Sequence, residues 1–395
     1  MDIEISETTR MVRDTVRRFV KSELIPIEPI VIRRDAERGY TDMPLIPEDI
    51  EKRLQEKASE LGLWGVDVPQ ELGGQGLGML TKCAVIEELK NSFVPFVLPP
   101  ESPNLHLLHQ LCKGAQIDKY LMPFSRGELR SCLALSEPGA GSDAGAIKTK
   151  ATRKNGKWYL NGEKTWISYA NKADFMVVIA LAEEGGQKLG MTAFVVDKGT
   201  AGVKLSEPIP VTADHYPYSI YFDDVCVEDS NVLGEVGQAF TPLKKRLGIR
   251  RLDIASRCLG TATRCINMMI DQANRRTTFG KPLADRQAVQ FMIADSYQEM
   301  AMVRMLVYAL AARVDRGDSD LRMDAAIVKV QSTEMVARVV DRAIQLFGGM
   351  GLTKEMPFEY LARQVRILRI VEGPSEIHRW TIGKDLLKNG IPALS

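Results

Sequence analysis

Apolar side chains recur every three or four residues through the first third of the chain, and this spacing predicts α-helices. Val16 and Phe19, for example, fall on one face of the first periodic segment. A glycine-rich loop and a proline-rich stretch interrupt the pattern and predict turns. We therefore predict a helical domain over residues 1–130, with the apolar stripes as its core. Further periodic segments within it are 46–63, 79–89, 105–111 and 117–124.

The period changes near Ser131, where short runs rich in β-branched and aromatic side chains begin. Asn155-Gly156 and Asn161-Gly162 are dipeptides that favour tight turns between strands. We therefore predict a β domain over residues 131–236, with a barrel-like or sandwich-like arrangement. Its predicted strands are 158–160, 165–168, 175–180, 191–196 and 219–222.

Helical periodicity returns over residues 237–395, now in long segments. Gly348 is placed as the C-cap of the third of these, and a last helix is predicted from an N-cap at Ser375 to a C-cap at Gly390. Three or four long helices in succession predict a four-helix bundle. The fold class is thus α+β, with helical, β and helical domains in chain order. The long predicted helices are 240–274, 284–316 and 320–347.

Composition narrows the classes of partner. The 395 residues include 52 Lys and Arg against 51 Asp and Glu, so nucleic acid and anionic membranes are not expected partners. The six cysteines form no C-x-x-C pair and no zinc-like spacing, so we expect reduced thiols and no metal. The chain begins with acidic residues, and no apolar run approaches about 18 residues. A cytoplasmic protein is therefore expected.

Glu372 is the candidate for general acid–base chemistry. It follows an apolar run, 367–371, and precedes Gly373 and Pro374, which interrupt a helix. A carboxylate in an apolar wall holds a proton more tightly than one in water, which suits a base in a dry pocket. The alternative is an ordinary acidic residue at a junction between a loop and a helix. The run by itself does not decide between them.

A glycine-rich loop after the first predicted strand formally matches a dinucleotide-binding fingerprint through Gly139, Gly141 and Ala144. The fingerprint should open a helix, yet the residues that follow alternate as a strand does. The loop is therefore not a dinucleotide-binding turn. It offers two hydroxyls, Ser136 and Ser142, and is either a ligand-binding loop or a plain surface loop.

Basic residues gather at two places in the helical part. Each cluster offers donors that suit phosphate groups, but each is equally compatible with a solvated helix face. The clusters are Lys244, Lys245, Arg246, Arg250 and Arg251 near the start of the first long helix, and 275–280 near its end.

Five blocks of sequence, taken together, resemble the acyl-CoA dehydrogenase family. The resemblance implies a helical, a β and a four-helix-bundle domain, one FAD per subunit, and a homotetramer or homodimer. It also implies an acyl-CoA substrate and an electron-transfer flavoprotein as electron acceptor. The blocks are 135–143, 161–168, 276–281 with Gln287, 345–351 and 372–373.

The resemblance also implies roles for individual residues. Glu372 matches the base that removes the α-proton of the thioester while a hydride leaves the β-carbon for flavin N5, giving a trans-2-enoyl-CoA. Ser142 and Arg251 match residues that contact CoA. The matches to residues around the flavin ring are Leu135, Ser136, Trp166 and Ser168. The matches to residues around the FAD adenosine and pyrophosphate are Arg276, Thr278, Phe279, Gln287, Gln345, Gly348 and Gly349.

Some positions depart from the family pattern. Val371 stands where straight-chain members often have an aromatic residue, and Pro374 and Glu376 replace polar residues of the adenosine site. Arg250 occupies the position from which some members supply the base, which favours Glu372 here. Two other functions remain open: an acyl-CoA oxidase or other non-dehydrogenase of the superfamily, and a flavin-containing binding or assembly protein without turnover.

Overall fold

A computed structural model describes residues 5–100, 102–318 and 321–392. A helical opening part, a central sheet and a helical closing part follow one another, so the predicted fold class is confirmed. The exact division at residues 130 and 236 stays a prediction. The helices are α1 (Glu7–Phe19), α2 (Glu28–Glu37), α3 (Glu48–Glu60), α4 (Gly78–Leu89), α5 (Ser102–Leu111), α6 (Met122–Ser125), α7 (Phe240–Arg275), α8 (Gln287–Asp315), α9 (Arg322–Phe347), α10 (Phe358–Leu368) and α11 (Ser375–Asn389).

The central part is one eight-stranded sheet in the order β6-β7-β3-β2-β4-β5-β8, with β1 paired in parallel to β4. A separate two-stranded ribbon, β9 with β10, lies between α7 and α8. The strands are β1 (Ser131–Ala134), β2 (Lys150–Lys154), β3 (Lys157–Ile167), β4 (Phe175–Glu184), β5 (Gln187–Asp197), β6 (Val203–Leu205), β7 (Tyr218–Glu228), β8 (Val232–Leu233), β9 (Thr277–Thr278) and β10 (Lys281–Pro282).

The large sheet is curled rather than flat. Trp158 on β3 and Phe194 on β5 have ring centroids 5.4 Å apart, although β2 and β4 lie between their strands in the sheet. Three strand spacings in a flat sheet would separate the two strands by about 14 Å. The concave face therefore closes around its own apolar core, whereas Phe175 and Val177 of β4 face outward onto α5 and its neighbours.

The turn predicted at Asn161-Gly162 is wrong, because both residues lie within β3. The pairing of β3 with β7 shifts register between Leu160 and Gly162, which marks a β-bulge. Gly162 has φ +146°, and a Cβ there would lie 2.6 Å from Thr149 Oγ1. The glycine thus permits close approach within the sheet. The turn predicted at Asn155-Gly156 is confirmed as the two-residue link between β2 and β3.

The opening and closing helical parts share one core. Val16 of α1, Leu54 of α3 and Val85 of α4 belong to the same apolar cluster as Leu259 of α7 and Val336 of α9. The helix predicted over 320–347 is confirmed from Arg322, and Asp320 lies outside the described residues. Gly348 and Gly390 are confirmed as C-caps, but Pro374 rather than Ser375 is the N-cap of α11. Ser375 instead donates to Glu334. Within the described ranges, no helix is both long and apolar enough to cross a membrane.

Gly260 allows α7 to cross α4 at close range. A Cβ at this position would lie 2.3 Å from the carbonyl oxygen of Glu87 and 2.7 Å from Cβ of Lys90. Both atoms belong to α4 or its end, so a side chain would force the two helices apart.

We expect Gly260→Ala to destabilise the protein by about 1–3 kcal/mol, because overpacking outweighs the gain in helix propensity. Gly248→Ala is the matched control, since Gly248 lies in the same helix and a Cβ there meets no atom within 4 Å. The control should be neutral or stabilise by up to about 1 kcal/mol. Thermal unfolding midpoints of the two variants measure the difference, and equal midpoints would contradict the close crossing.

Candidate active site

Glu372 lies in the short connection between α10 and α11, where the main chain turns sharply. Glu372 and Gly373 both have positive φ, at +56° and +93°. A Cβ on Gly373 would lie 2.9 Å from Nε2 of His378, so the second position requires glycine. A left-handed conformation at a glutamate is uncommon and persists where the surroundings hold it in place.

Three side chains from three helices hold this connection. Arg251 Nε of α7 and His378 Nε2 of α11 donate to the carbonyl oxygen of Glu372, at 3.3 and 3.2 Å. Lys329 Nζ of α9 donates to the carbonyl oxygen of Gly373 at 2.8 Å. Burial lowers the pKa of Lys329 to about 8. The main chain at the candidate base is therefore fixed by the bundle itself.

The expectation of an apolar wall around the Glu372 carboxylate is wrong. Ile370 and Val371 are exposed, and the carboxylate faces arginines of α7 instead. Arg246 Nη1 lies 3.1 Å from Oε1 and 3.4 Å from Oε2, and Arg250 Nε lies 4.0 Å from Oε1. The Glu372 side chain is 17% exposed and that of Arg246 is 8% exposed, so the pair is largely shielded from water.

Arg246 connects all three parts of the chain. Its Nε and Nη2 both donate to the side-chain oxygen of Asn104 on α5, at 3.2 and 3.1 Å. The Asn104 amide donates in turn to Ser131 Oγ on β1 at 3.0 Å. The basic cluster at the start of α7 was predicted to be either a solvated helix face or a phosphate-binding site, but its members differ in burial. Lys244 and Lys245 are exposed, whereas Arg246 is buried.

The four residues matched to the flavin ring come together at the ends of β1 and β3. The Thr165 N–H donates to the carbonyl oxygen of Ser136 at 2.9 Å, and Lys164 Nζ donates to that of Leu135 at 2.9 Å. Trp166 and Ser168 follow on the same stretch and are exposed. An exposed indole beside two hydroxyls offers stacking area and hydrogen-bonding groups, which fits one edge of a flavin ring.

A buried ion pair fixes the glycine-rich loop that follows β1. Lys164 Nζ lies 2.8 Å from Glu137 Oε1, and the two side chains are 0% and 7% exposed. The same carboxylate accepts main-chain N–H groups of Lys148 and Thr149. Ser142 lies on this loop and is exposed. The structure thus supports the view that this is no dinucleotide turn, since the loop leads through a short 3-10 turn into β2.

Local sequence patterns did not predict the series of hydrogen bonds that joins Ser168, His215 and Asp214. Ser168 Oγ lies 2.8 Å from His215 Nε2, and His215 Nδ1 lies 2.6 Å from Asp214 Oδ1. The ring of Tyr169 stacks on His215 at 4.4 Å. Burial opposes ionisation of Asp214, but the His215 hydrogen bond and the nearby Arg257 outweigh it and hold the pKa of Asp214 well below its usual range. Only the fold brings residues 168 and 215 together.

The residues matched to the adenosine and pyrophosphate form a second group at one end of the bundle. Because α8 and α9 are antiparallel, the start of α8 and the end of α9 lie at the same end. Phe279 is 97% exposed there. Among the described residues, no hydrogen bond joins this group to the flavin-ring residues. Its members are Arg276, Thr278, Phe279, Gln287, Gln345, Gly348 and Gly349.

A cavity lies between α4, the 96–100 segment and α7. Its walls are largely apolar, but Lys90, Arg250 and Arg257 also line it. Burial, with Arg257 beside it, lowers the pKa of Lys90 to about 7. Neither Lys90 nor Arg257 was predicted as a site residue. Helical spacing could have indicated Arg257, since it lies seven residues after Arg250 and shares its face of α7.

Comparison with known families agrees with this geometry. The models of the acyl-CoA dehydrogenase N-terminal, middle and C-terminal domains match residues 6–128, 132–225 and 238–387. The chain belongs to the acyl-CoA dehydrogenase family. It is therefore an oxidoreductase that acts on a CH–CH bond of an acyl-CoA, with FAD as cofactor.

Particular relatives in the acyl-CoA dehydrogenase family are similar along nearly the whole chain. The (R)-benzylsuccinyl-CoA dehydrogenase of Thauera aromatica is 47% identical over 99% of this chain and 98% of that protein. The structure of butyryl-CoA dehydrogenase from Megasphaera elsdenii matches with a TM-score of 0.86 and 28% identity, covering 98% and 100% of the two chains. A glutaryl-coenzyme A dehydrogenase bound to glutaryl-CoA matches with a TM-score of 0.85 and 28% identity, covering 98% and 97%.

The contribution of His378 to folding stability depends on pH. Burial, reinforced by Arg251 and Lys329, lowers the pKa of His378 to about 4 from its ordinary 6.5. Between these values the unfolded chain binds a proton at His378 that the folded chain does not. The contribution of His378 to stability is therefore lost as pH falls from 6.5 towards 4.

We expect His378→Gln to flatten the fall in stability between pH 6.5 and pH 4.5, because glutamine can still donate to the Glu372 carbonyl but does not titrate. Unfolding midpoints in urea at the two pH values, for the parent and the variant, measure the change. The same loss of stability with acid in both proteins would show that His378 does not titrate in this way.

Proposed function

We propose that this protein oxidises the Cα–Cβ bond of an acyl-CoA to the trans-2-enoyl-CoA, with Glu372 as the base that removes the α-proton. The observation that carries the proposal is the Glu372 main chain. Its carbonyl is held by two donors, while its N–H has no hydrogen-bond partner among the described residues. That N–H is available to the thioester carbonyl, where negative charge develops as the proton leaves.

The proposed roles of the cofactor and of the protein follow from this arrangement. Bound FAD supplies the acceptor for the hydride from the β-carbon. The protein orients the thioester, excludes water and takes one proton on the Glu372 carboxylate. Leu135, Ser136, Trp166 and Ser168 would hold the flavin ring, with His215 and Asp214 fixing the Ser168 hydroxyl. Ser142 and Arg251 stay proposed CoA contacts. Nε of Arg251 already donates a hydrogen bond to the Glu372 carbonyl oxygen.

We propose further that the acyl group carries a free carboxylate and an aryl group, as benzylsuccinyl-CoA does. The relative of that name is 47% identical over nearly the full length. Arg246, Arg250 and Arg257 share one face of α7, and Arg257 has no hydrogen-bond or ion-pair partner among the residues that the structure describes. Arginine binds carboxylates well. The apolar remainder of the cavity, including Phe96 and Leu89, suits a hydrocarbon ring.

A homotetramer and electron transfer to an electron-transfer flavoprotein complete the proposal. The outer face of α8 exposes large apolar side chains, which is unusual for a monomer and supports an interface between subunits. Such an interface would cover Phe279 and the adenosine-site residues of the bundle end. The exposed apolar residues of α8 are Phe291, Tyr297, Met302, Met305 and Leu306.

We expect Glu372→Gln to keep the yellow FAD absorbance but to slow anaerobic bleaching by the acyl-CoA by about 10² to 10⁴-fold, because the amide cannot take a proton. A panel of acyl-CoAs, including benzylsuccinyl-CoA and butyryl-CoA, is mixed with the enzyme and flavin absorbance is followed. Glu56→Gln is the control, since Glu56 is an exposed acid on α3, outside the residues placed in the candidate site.

The bleaching experiment also separates the remaining functions. No bleaching of the parent protein by any thioester would favour a binding protein without turnover. Bleaching followed by rapid recovery of colour in air would favour an oxidase. Unchanged bleaching by Glu372→Gln would remove Glu372 from the role of base.

A further inference from the structure

We infer that Arg246 holds Glu372 in an ion pair in the free enzyme, and that a carboxylate on the substrate's acyl group replaces Glu372 on Arg246 and so releases the base. This inference rests on the proposed function of Glu372. It makes Arg246 the residue that couples recognition of the substrate to its oxidation.

Two arginines of α7 supply the polar contacts of the Glu372 carboxylate. Among the described residues, the Glu372 carboxylate has only Arg246 as a hydrogen-bond partner, with Arg250 as a second cation at 4.0 Å. A carboxylate whose oxygens are bound by a guanidinium is not free to turn towards a substrate.

Glu372 rather than Arg246 is the partner that can move. The Arg246 guanidinium is fixed by two hydrogen bonds to Asn104, which is itself bonded to Ser131. The Glu372 main chain is fixed, but among the described residues only the arginines hold its side chain. Rotation about the side-chain bonds of one residue is therefore enough to break the pair, without any change in the fold.

The cost of breaking the pair explains why a second anion is needed. Arg246 is 7% exposed, and a buried cation without a partner is strongly unfavourable. If Glu372 took a proton or turned away by itself, Arg246 would be left in that state. A substrate carboxylate placed on Nη1 of Arg246 keeps the charge paired throughout, because one carboxylate replaces another.

The surroundings attract such an anion. The titratable residues that line the adjoining cavity comprise four basic side chains and two carboxylates, so the cavity has an excess of positive charge. Arg250 belongs to this lining and also faces Glu372, which links the cavity to the ion pair. The basic residues are Lys82, Lys90, Arg250 and Arg257, and the acidic residues are Asp67 and Asp253.

The enzyme therefore selects among acyl-CoA substrates by the charge of the acyl group and not by its size. A thioester of matching shape without the free carboxylate enters a site in which Glu372 stays paired with Arg246. Its oxidation is slow even if it binds. Negative charge on the acyl group is thus a requirement for turnover as well as for affinity.

The test compares two substrates of nearly equal shape on the FAD-loaded enzyme: (R)-benzylsuccinyl-CoA and its analogue with the free carboxylate converted to a primary carboxamide. Anaerobic bleaching rates are measured at saturating concentrations of each. We expect the parent enzyme to prefer the carboxylate by at least about 100-fold, the scale of a close charge pair.

In Arg246→Gln we expect this preference to fall to within about tenfold, the scale of losing most of a close charge pair. We also expect the carboxamide to bleach this variant faster than it bleaches the parent, because Glu372 is no longer held. Damage to folding cannot produce that gain. Arg246→Lys, which keeps the charge, should retain part of the preference. Arg264→Gln is the matched control on α7, since Arg264 pairs with Glu28 at 3.0 Å away from the site, and its preference should equal that of the parent.

The outcomes separate this inference from the proposed function. Equal bleaching of the parent by both compounds would overturn the exchange of ion pairs and leave the dehydrogenase intact. A preference that survives in Arg246→Gln would also overturn it. Bleaching by neither compound would instead contradict the proposed substrate class.

Discussion

The candidate active site depends on one buried guanidinium. Arg246 of α7 binds Asn104 from the opening helices and Glu372 from the last loop, and Asn104 reaches Ser131 at the start of the sheet. A buried cation must be paired, and each of its partners comes from a different part of the chain. The relative placement of the three parts is thus tied to the charge balance at the candidate base.

Helix α7 carries the arginines that pair with Glu372 and line the cavity. Gly260 brings it against α4, which closes one wall of the cavity, while Arg250 and Arg257 supply part of the positive charge within that cavity. Arg251 on the neighbouring face fixes the Glu372 carbonyl. One helix therefore sets the position of the candidate base and both the shape and the charge of the nearby cavity. A change in how α7 packs would alter all three together.

The Glu372 loop combines a fixed main chain with a side chain that can move. Its main chain has a strained, left-handed conformation that α7, α9 and α11 maintain through hydrogen bonds. In the part of the chain that the structure describes, its side chain is restrained only by the arginines. Rigid main chain and a replaceable side-chain partner are the combination that a substrate-dependent ion pair requires. Ser168, His215 and Asp214 follow the opposite pattern, with every side chain fixed by the next.

Local pattern alone determined the order of the three parts, the long helices of the bundle and the turn at Asn155-Gly156, because periodicity and turn chemistry are properties of neighbouring residues. The sequence blocks also pointed to Glu372 and to the family. Only the tertiary structure decided that Asn161-Gly162 lies inside a strand and that Glu372 faces arginines and not apolar residues. Both depend on contacts with residues far away in the chain, Thr149 in one case and Arg246 in the other, and such contacts are not encoded in any local period.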